Sequence, residues 1–175
     1  MTNGSSLVQP IRDRELIDKM KNELLKGGYR NYLLFVLGIN TGLRISDIIT
    51  LKVKDVKYDN VTITEKKTKK IKRFVLNEAV RKALDEYTSG MNEDEYLFHS
   101  QKGGHISRVQ SYRILNEAAK KLGIPEVGTH TCRKTFGYFH YQKYKDVALL
   151  QKLFNHSAPS VTLQYIGIEQ DMMGQ

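Results

Sequence analysis

Residues 60–76 read NVTITEKKTKKIKRFVL, and they break an otherwise helical pattern. VTITEKK alternates between apolar and polar positions, and so does KRFVLN, with a polar Thr68-Lys69-Lys70 step between them. Period-two alternation on both sides of a turn predicts a β-hairpin over roughly residues 60 to 76. Upstream, RDRELIDKMKNELLK sets Leu16, Met20, Leu24 and Leu25 at helical spacing before the Gly27-Gly28 pair. YRNYLLFVLGINTG follows, more continuously apolar, as a central helix closing at Gly42; LRISDIITLKVKDV then predicts a short helix from Arg44 to about Leu51. Downstream, NEAVRKALDEY has Asn77 as N-cap, and SRVQSYRILNEAAKKLG runs from Ser107 to Gly123. A loop with a brief extended YLF segment joins them. The last quarter, Thr129 to Ile166, holds two helices broken near Tyr144 and Asn155 and a short third opened by SAPS, where proline suits a first turn. The fold class is mainly α with a small antiparallel β-hairpin, an α+β arrangement.

A chain of 175 residues is the size of one domain, read as a polar leader at 1–10, a folded unit at 11–168 and a tail at 169–175. Lysine and arginine total 28 against 19 acids, a formal charge of +9, which favours polyanionic partners. Nucleic acid leads, with an anionic membrane surface behind it. The longest apolar run, Tyr32 to Ile39, is far short of a membrane span, and MTNGSSLVQP lacks the order of a signal peptide. A cytoplasmic protein is expected. Cys132 is the single cysteine, which excludes an intrachain disulfide and a multi-cysteine zinc site. The histidines, at 99, 105, 130, 140 and 156, leave a His-rich metal site formally open but show no HExxH or comparable close spacing, and no metal or other cofactor is expected.

Four places carry chemistry. Arg44 opens a helix after Thr41-Gly42-Leu43, where backbone N–H groups and a guanidinium face an anion together; alternatively it is a surface arginine paired with Asp47, three residues on. Six of the eight residues Lys66 to Arg73 are basic, namely Lys66, Lys67, Lys69, Lys70, Lys72 and Arg73. On a hairpin they form a DNA-contacting finger or a solvated charged turn, and one of them, with a lowered pKa, suits proton donation. His130 and Arg133 share a helical face in HTCRKTFG: the fork binds nonbridging oxygens and the imidazole handles a proton, although half-buried histidines are common without function. Lys134 beside them is either a further DNA contact or solvent-facing. In NHSAPSVTLQY, His156 precedes Tyr165 by nine residues. A phenol needs positive neighbours to attack phosphorus, and with ten tyrosines chemistry alone does not select this one.

The ordered set resembles the catalytic domain of the tyrosine recombinase, or phage integrase, family. TGLRISDI is similar to its first arginine box, HTCRKTFG to its His-x-x-Arg box, and LFNHSAPSVTLQYIG to its closing box, with EKKTKK as the lysine-bearing turn. The resemblance implies phosphate clamps at Arg44 and Arg133, with Asp47 behind the first. It implies a general acid at Lys67, proton handling at His130, a supporting hydrogen bond from His156 and a nucleophile at Tyr165. The intervals, 23 residues from Arg133 to His156 and nine more to Tyr165, are family-like. Asp47 stands where glutamate is commoner, and VLN replaces a proline-containing strand end. Members commonly carry a separate N-terminal helical domain, so an excised catalytic fragment or a small single-domain member is expected.

The implied function is site-specific recombination through a 3′-phosphotyrosyl intermediate, without metal, on double-stranded DNA. Self-association as a tetramer on paired sites follows from the same likeness. A type IB topoisomerase would use the same site to reseal its own strand. A non-catalytic DNA-binding regulator would keep the scaffold and lose the chemistry.

Overall fold

In a computed structural model that describes residues 8–58 and 60–168, eight α-helices accompany one hairpin. They are α1 (Arg14–Leu25), α2 (Tyr29–Thr41), α3 (Ile45–Ile48), α4 (Glu78–Thr88), α5 (Arg108–Lys121), α6 (Thr131–Tyr144), α7 (Val147–Phe154) and α8 (Pro159–Tyr165). The strands β1 (Asn60–Thr64) and β2 (Ile71–Val75) pair antiparallel, Asn60 opposite Val75 and Thr64 opposite Ile71. The expected α+β class and the hairpin are observed. The helix expected from Arg44 to Leu51 is shorter, and the YLF segment forms no named strand, pairing instead through an isolated bridge from Tyr96 to Lys52.

Local chemistry sets the boundaries. Asp13, Asn77, Ser107 and Asp146 each accept a backbone N–H of the helix they precede, satisfying donors that the first turn leaves bare. Gly42 ends α2 at φ 68°, and a Cβ there would lie 2.4 Å from the Phe136 ring, so glycine serves both the turn and the packing.

Helix α2 is the centre of the main core. Leu33, Leu34, Phe35 and Leu37 are fully buried, and α2 packs against α1, α4 and α6. It meets α6 closely: a Cβ on Gly38 would come within 2.7 Å of the Cys132 Cβ. The buried stripe of α1 is Ile17, Met20 and Leu24; Leu25, expected to join it, is 40% exposed, because it lies one residue past the inward face.

A second, smaller core gathers Leu150, Phe154, Ile166 and Ile168 with Phe136, Leu163 and Tyr165 around it. The segment just after Tyr165 therefore contributes core residues, Ile166 and Ile168. Residues 169–175, the expected tail, lie outside the described residues. At the other end the folded body begins before Ile11: Val8 and Pro10 are buried, the Ile11 N–H donates to Thr135 Oγ1 at 2.9 Å, and Arg12 donates to the Gly167 carbonyl at 3.1 Å. This strap lies across α6 and reaches the chain just beyond Tyr165.

Candidate active site

Four pieces of chain meet between the hairpin, α3, the start of α6 and the end of α8. Arg44 is the residue before α3, extended at φ −66° and ψ 145°, and Asp47 is buried within that helix. The turn at 65–70 is closed by backbone bonds from Glu65 N–H to the Lys70 carbonyl and from Lys69 N–H to the Glu65 carbonyl, both 2.9 Å, with Lys69 at φ 60°. His130 precedes α6 and Arg133 lies in its first turn, so both point toward α8. Tyr165 is the last residue of α8, three residues past Thr162, whose hydroxyl lies 2.9 Å from His156 Nδ1.

The structure brings His130, Arg133, His156 and Tyr165 together. The Tyr165 hydroxyl is 3.3 Å from His130 Nδ1, and its ring stands edge-on to His156 with centroids 5.0 Å apart. Burial raises the Tyr165 pKa above its ordinary value; the charges of Arg133 and Arg44 and a hydrogen bond from Arg133 oppose that rise. Burial, together with the Arg133, Lys134, Arg44 and Arg108 charges, drives His130 down to about 4. Its imidazole is neutral at pH 7, so Nδ1 accepts from the phenol in the tautomer that carries the proton on Nε2. Burial and the two arginines lower His156 as well.

Arg133 is 4% exposed, with its guanidinium 4.5 Å from the centre of the Phe154 ring. Burial lowers its pKa, and the Tyr165 phenol together with Glu65 and Asp47 opposes the loss, so it remains a cation. A pocket of about 240 Å³ opens beside it, lined by Arg44, Asp47, Lys66, Lys67, Arg108, His130 and Arg133 among others.

Two expected DNA contacts point elsewhere. Lys134 is 4% exposed, donates to the Val8 carbonyl at 2.8 Å and lies 5.0 Å over the Tyr165 ring; burial takes it down to about 8. It sits behind the phenol because the α6 residues from Thr131 to Thr135 are buried together. Lys72 faces inward: its ammonium is 3.2 Å from Glu65 and donates to the Leu153 carbonyl. Lys66, Lys67, Lys69 and Arg73 are exposed on the hairpin, while Lys70, also exposed, donates to Asn155 Oδ1 at 2.6 Å.

Two residues escaped the sequence reading. Glu65, 1% exposed, is the acid that pairs with Arg44, at 3.0 Å; Asp47 instead accepts from the Lys66 N–H at 3.3 Å. Burial pushes the Glu65 pKa up, but Thr68, Lys72 and Arg44 together outweigh it and hold the carboxyl below its usual range. Arg108, the first residue of α5, joins the pocket wall.

A phenol set against imidazole and guanidinium groups, beside a pocket rich in cations, has the chemistry that suits a phosphate. Residues 13–171 match the phage integrase family, and the chain belongs to it. It is 52% identical to the probable integrase/recombinase YoeC of Bacillus subtilis over 167 residues, 94% of this chain and 92% of that protein. The XerH recombinase bound to its difH substrate superposes with a TM-score of 0.74 at 24% identity, covering 91% of this chain and 51% of XerH. The catalytic domain of bacteriophage HP1 integrase does so at 0.69 and 19%, covering 92% of this chain and 88% of that domain. The fold is that of a tyrosine recombinase catalytic domain. The chain also spans about half the length of longer curated tyrosine recombinases that it matches.

Proposed function

We propose that this chain catalyses site-specific recombination of double-stranded DNA, with Tyr165 as the nucleophile. The observation that carries the reading is the Tyr165 hydroxyl 3.3 Å from a neutral His130 imidazole, beside two arginines of the same chain. In this reading Tyr165 acts in the site of its own subunit. The phenolic oxygen bonds to phosphorus as the bond to the 5′ oxygen breaks; His130 takes the phenolic proton, and Lys67 gives one to the departing oxygen. Arg44 and Arg133 hold the nonbridging oxygens. His156, its Nδ1 engaged by Thr162, offers Nε2 as a further donor. Attack by a 5′-hydroxyl from a partner duplex reverses the step, so backbone energy is conserved. The cations supply the charge stabilisation that a divalent ion provides elsewhere. The Tn1549 transposon integrase, a structural neighbour, is solved in complex with a circular intermediate DNA, which supports DNA as the partner. Lys66, Lys67, Lys69, Lys70 and Arg73 are the hairpin contacts to it, and strand exchange is carried out by a tetramer on paired sites.

The test is covalent trapping. The protein is mixed in EDTA with nicked duplexes taken from DNA around its gene, then run on a denaturing gel and peptide-mapped. An adduct mapped to Tyr165 supports the reading; binding of the same duplexes without any adduct overturns it in favour of a non-catalytic regulator.

The low pKa of His130 sets an expectation for pH. A base with the ordinary histidine value would lose activity on acidification through about pH 6.5, whereas one near 4 stays neutral well below that. The second-order rate constant for adduct formation, which reports the free enzyme, is expected to stay flat from about pH 7.5 to about 5.5 before falling. A fall of half or more by about pH 6.5 would remove His130 from the role of base. The stability linkage has the matching sign. Because the folded state resists protonation, the contribution is complete above the unfolded value and is lost as pH falls toward about 4.

A further inference from the structure

Glu65 and Lys72 are the ionised side chains of the hairpin that face inward, and the reaction scheme above gives neither of them a part. The Glu65 carboxylate has three partners: Arg44 Nη1 on one oxygen at 3.0 Å, and on the other Lys72 Nζ at 3.2 Å and the Thr68 hydroxyl at 2.9 Å. Thr68 follows Lys67 in the turn, so one carboxylate holds a clamp arginine and the backbone beside the proposed proton donor. Lys72 continues the chain of contacts to the Leu153 carbonyl, in the last turn of α7, where helical carbonyls lack partners and attract cations. Two residues back, Lys70 holds Asn155, which ends α7 in a left-handed conformation at φ 59°. The next residue, His156, is fixed by its N–H to the Gln151 carbonyl at 3.0 Å and leads directly into α8 and Tyr165.

We propose that Glu65 and Lys72 are a positioning pair that locks the lysine hairpin, Arg44 and the histidine–tyrosine segment into one body for strand cleavage. The inference rests on the recombinase reading above. A two-stranded hairpin is marginal by itself, and here Ile71 and Val75 on its outer face are 72% and 79% exposed, so apolar packing on that face does not hold it. Burying a carboxylate and an ammonium costs several kcal/mol per ion unless they are well paired, and an apolar pair would seat a merely structural hairpin as well. What an apolar pair could not do is aim a guanidinium on one side and grip a helix-end carbonyl on the other.

The experiment is a double-mutant cycle with Glu65→Gln, Lys72→Met and the double variant, on the full chain. It reads single-turnover adduct formation at saturating nicked duplex, and amide hydrogen exchange at residues 153–156. Glu65→Gln is expected to slow cleavage about 100-fold and Lys72→Met about tenfold, with the double variant no slower than Glu65→Gln alone, because partners acting as a unit are not additive. Lys72→Arg should recover most of the Lys72→Met loss. Exchange at 153–156 should quicken in both single variants, while the amides of α2 stay protected. Multiplying defects, or unchanged exchange at 153–156, would overturn the pair while leaving the recombinase reading intact. A wild-type protein that forms no adduct overturns that reading and the pair together.

Discussion

Tyr165→Phe is expected to leave no covalent adduct on a nicked duplex that it binds as tightly as the unchanged protein does. The substitution removes one oxygen and keeps the ring, and it is the ring that packs against Phe154 and His156, with centroids at 5.4 and 5.0 Å. The oxygen lost is the one beside His130 and Arg133. A net hydrogen bond is worth roughly 1 kcal/mol, so the melting temperature should move by only a few degrees. Cleavage should fall by at least about 10⁴-fold, since no neighbouring group replaces a nucleophile. Denaturing gels and filter binding on the same duplex separate the two effects. Adduct formation that persists in the variant would place the nucleophile elsewhere, in one of the nine other tyrosines of the chain.

The hairpin and the four chemical boxes were legible because their signals are local. Alternation in VTIT and RFV marks strands, and His130, Arg133, His156 and Tyr165 fall at intervals that a helix and its loops convert into one cluster. The same alternation, carried two residues further, would have found the missing acid. Val61, Ile63 and Glu65 occupy one face of β1 and its extension, and Lys72 and Phe74 the same face of β2, with Ile63 directly opposite Lys72. Counting cations in the run hid the fact that one of them and the neighbouring glutamate point the other way. Lys134 was not legible in this manner. A lysine beside an arginine on a basic chain reads as surface, and only the strap at Val8 to Arg12 and the seating of α6 explain its burial. The pairing of Arg44 depends on tertiary contact as well: Asp47 is three residues away along the chain, but Glu65, 21 residues away, makes the ion pair.

Arg133→Met is expected to abolish activity without weakening the fold. Arg133 is 4% exposed, and the charges of Arg44 and Lys72 act in the same small volume, with Glu65 and Asp47 as the acids that oppose them. Burial already lowers its pKa, a sign that the folded state holds this cation at a cost. Removing one partner of a buried ion pair is costly because the other charge is left alone, but among the described residues Arg133 makes no ion pair within 4.0 Å, and Glu65 keeps Arg44 and Lys72, so the substitution relieves the desolvation of the cation without stranding a carboxylate. Methionine also keeps contact with Phe154, the ring that now lies 4.5 Å from the guanidinium. The melting temperature should therefore be unchanged or several degrees higher. Adduct formation should fall by about 10³-fold or more, the scale of losing one preorganised donor to a developing oxyanion, increased here because the guanidinium also opposes the rise in the Tyr165 pKa. Arg133→Lys keeps the charge and loses the fork, so a large part of the defect should remain. Thermal melts beside single-turnover trapping measure both quantities on one preparation. A variant that loses more than about 10 °C in melting temperature would show that Arg133 is chiefly structural. The expected opposite result, higher stability with no cleavage, is what a cationic site built to receive a phosphate requires, because the anion that balances its charge arrives only with the DNA.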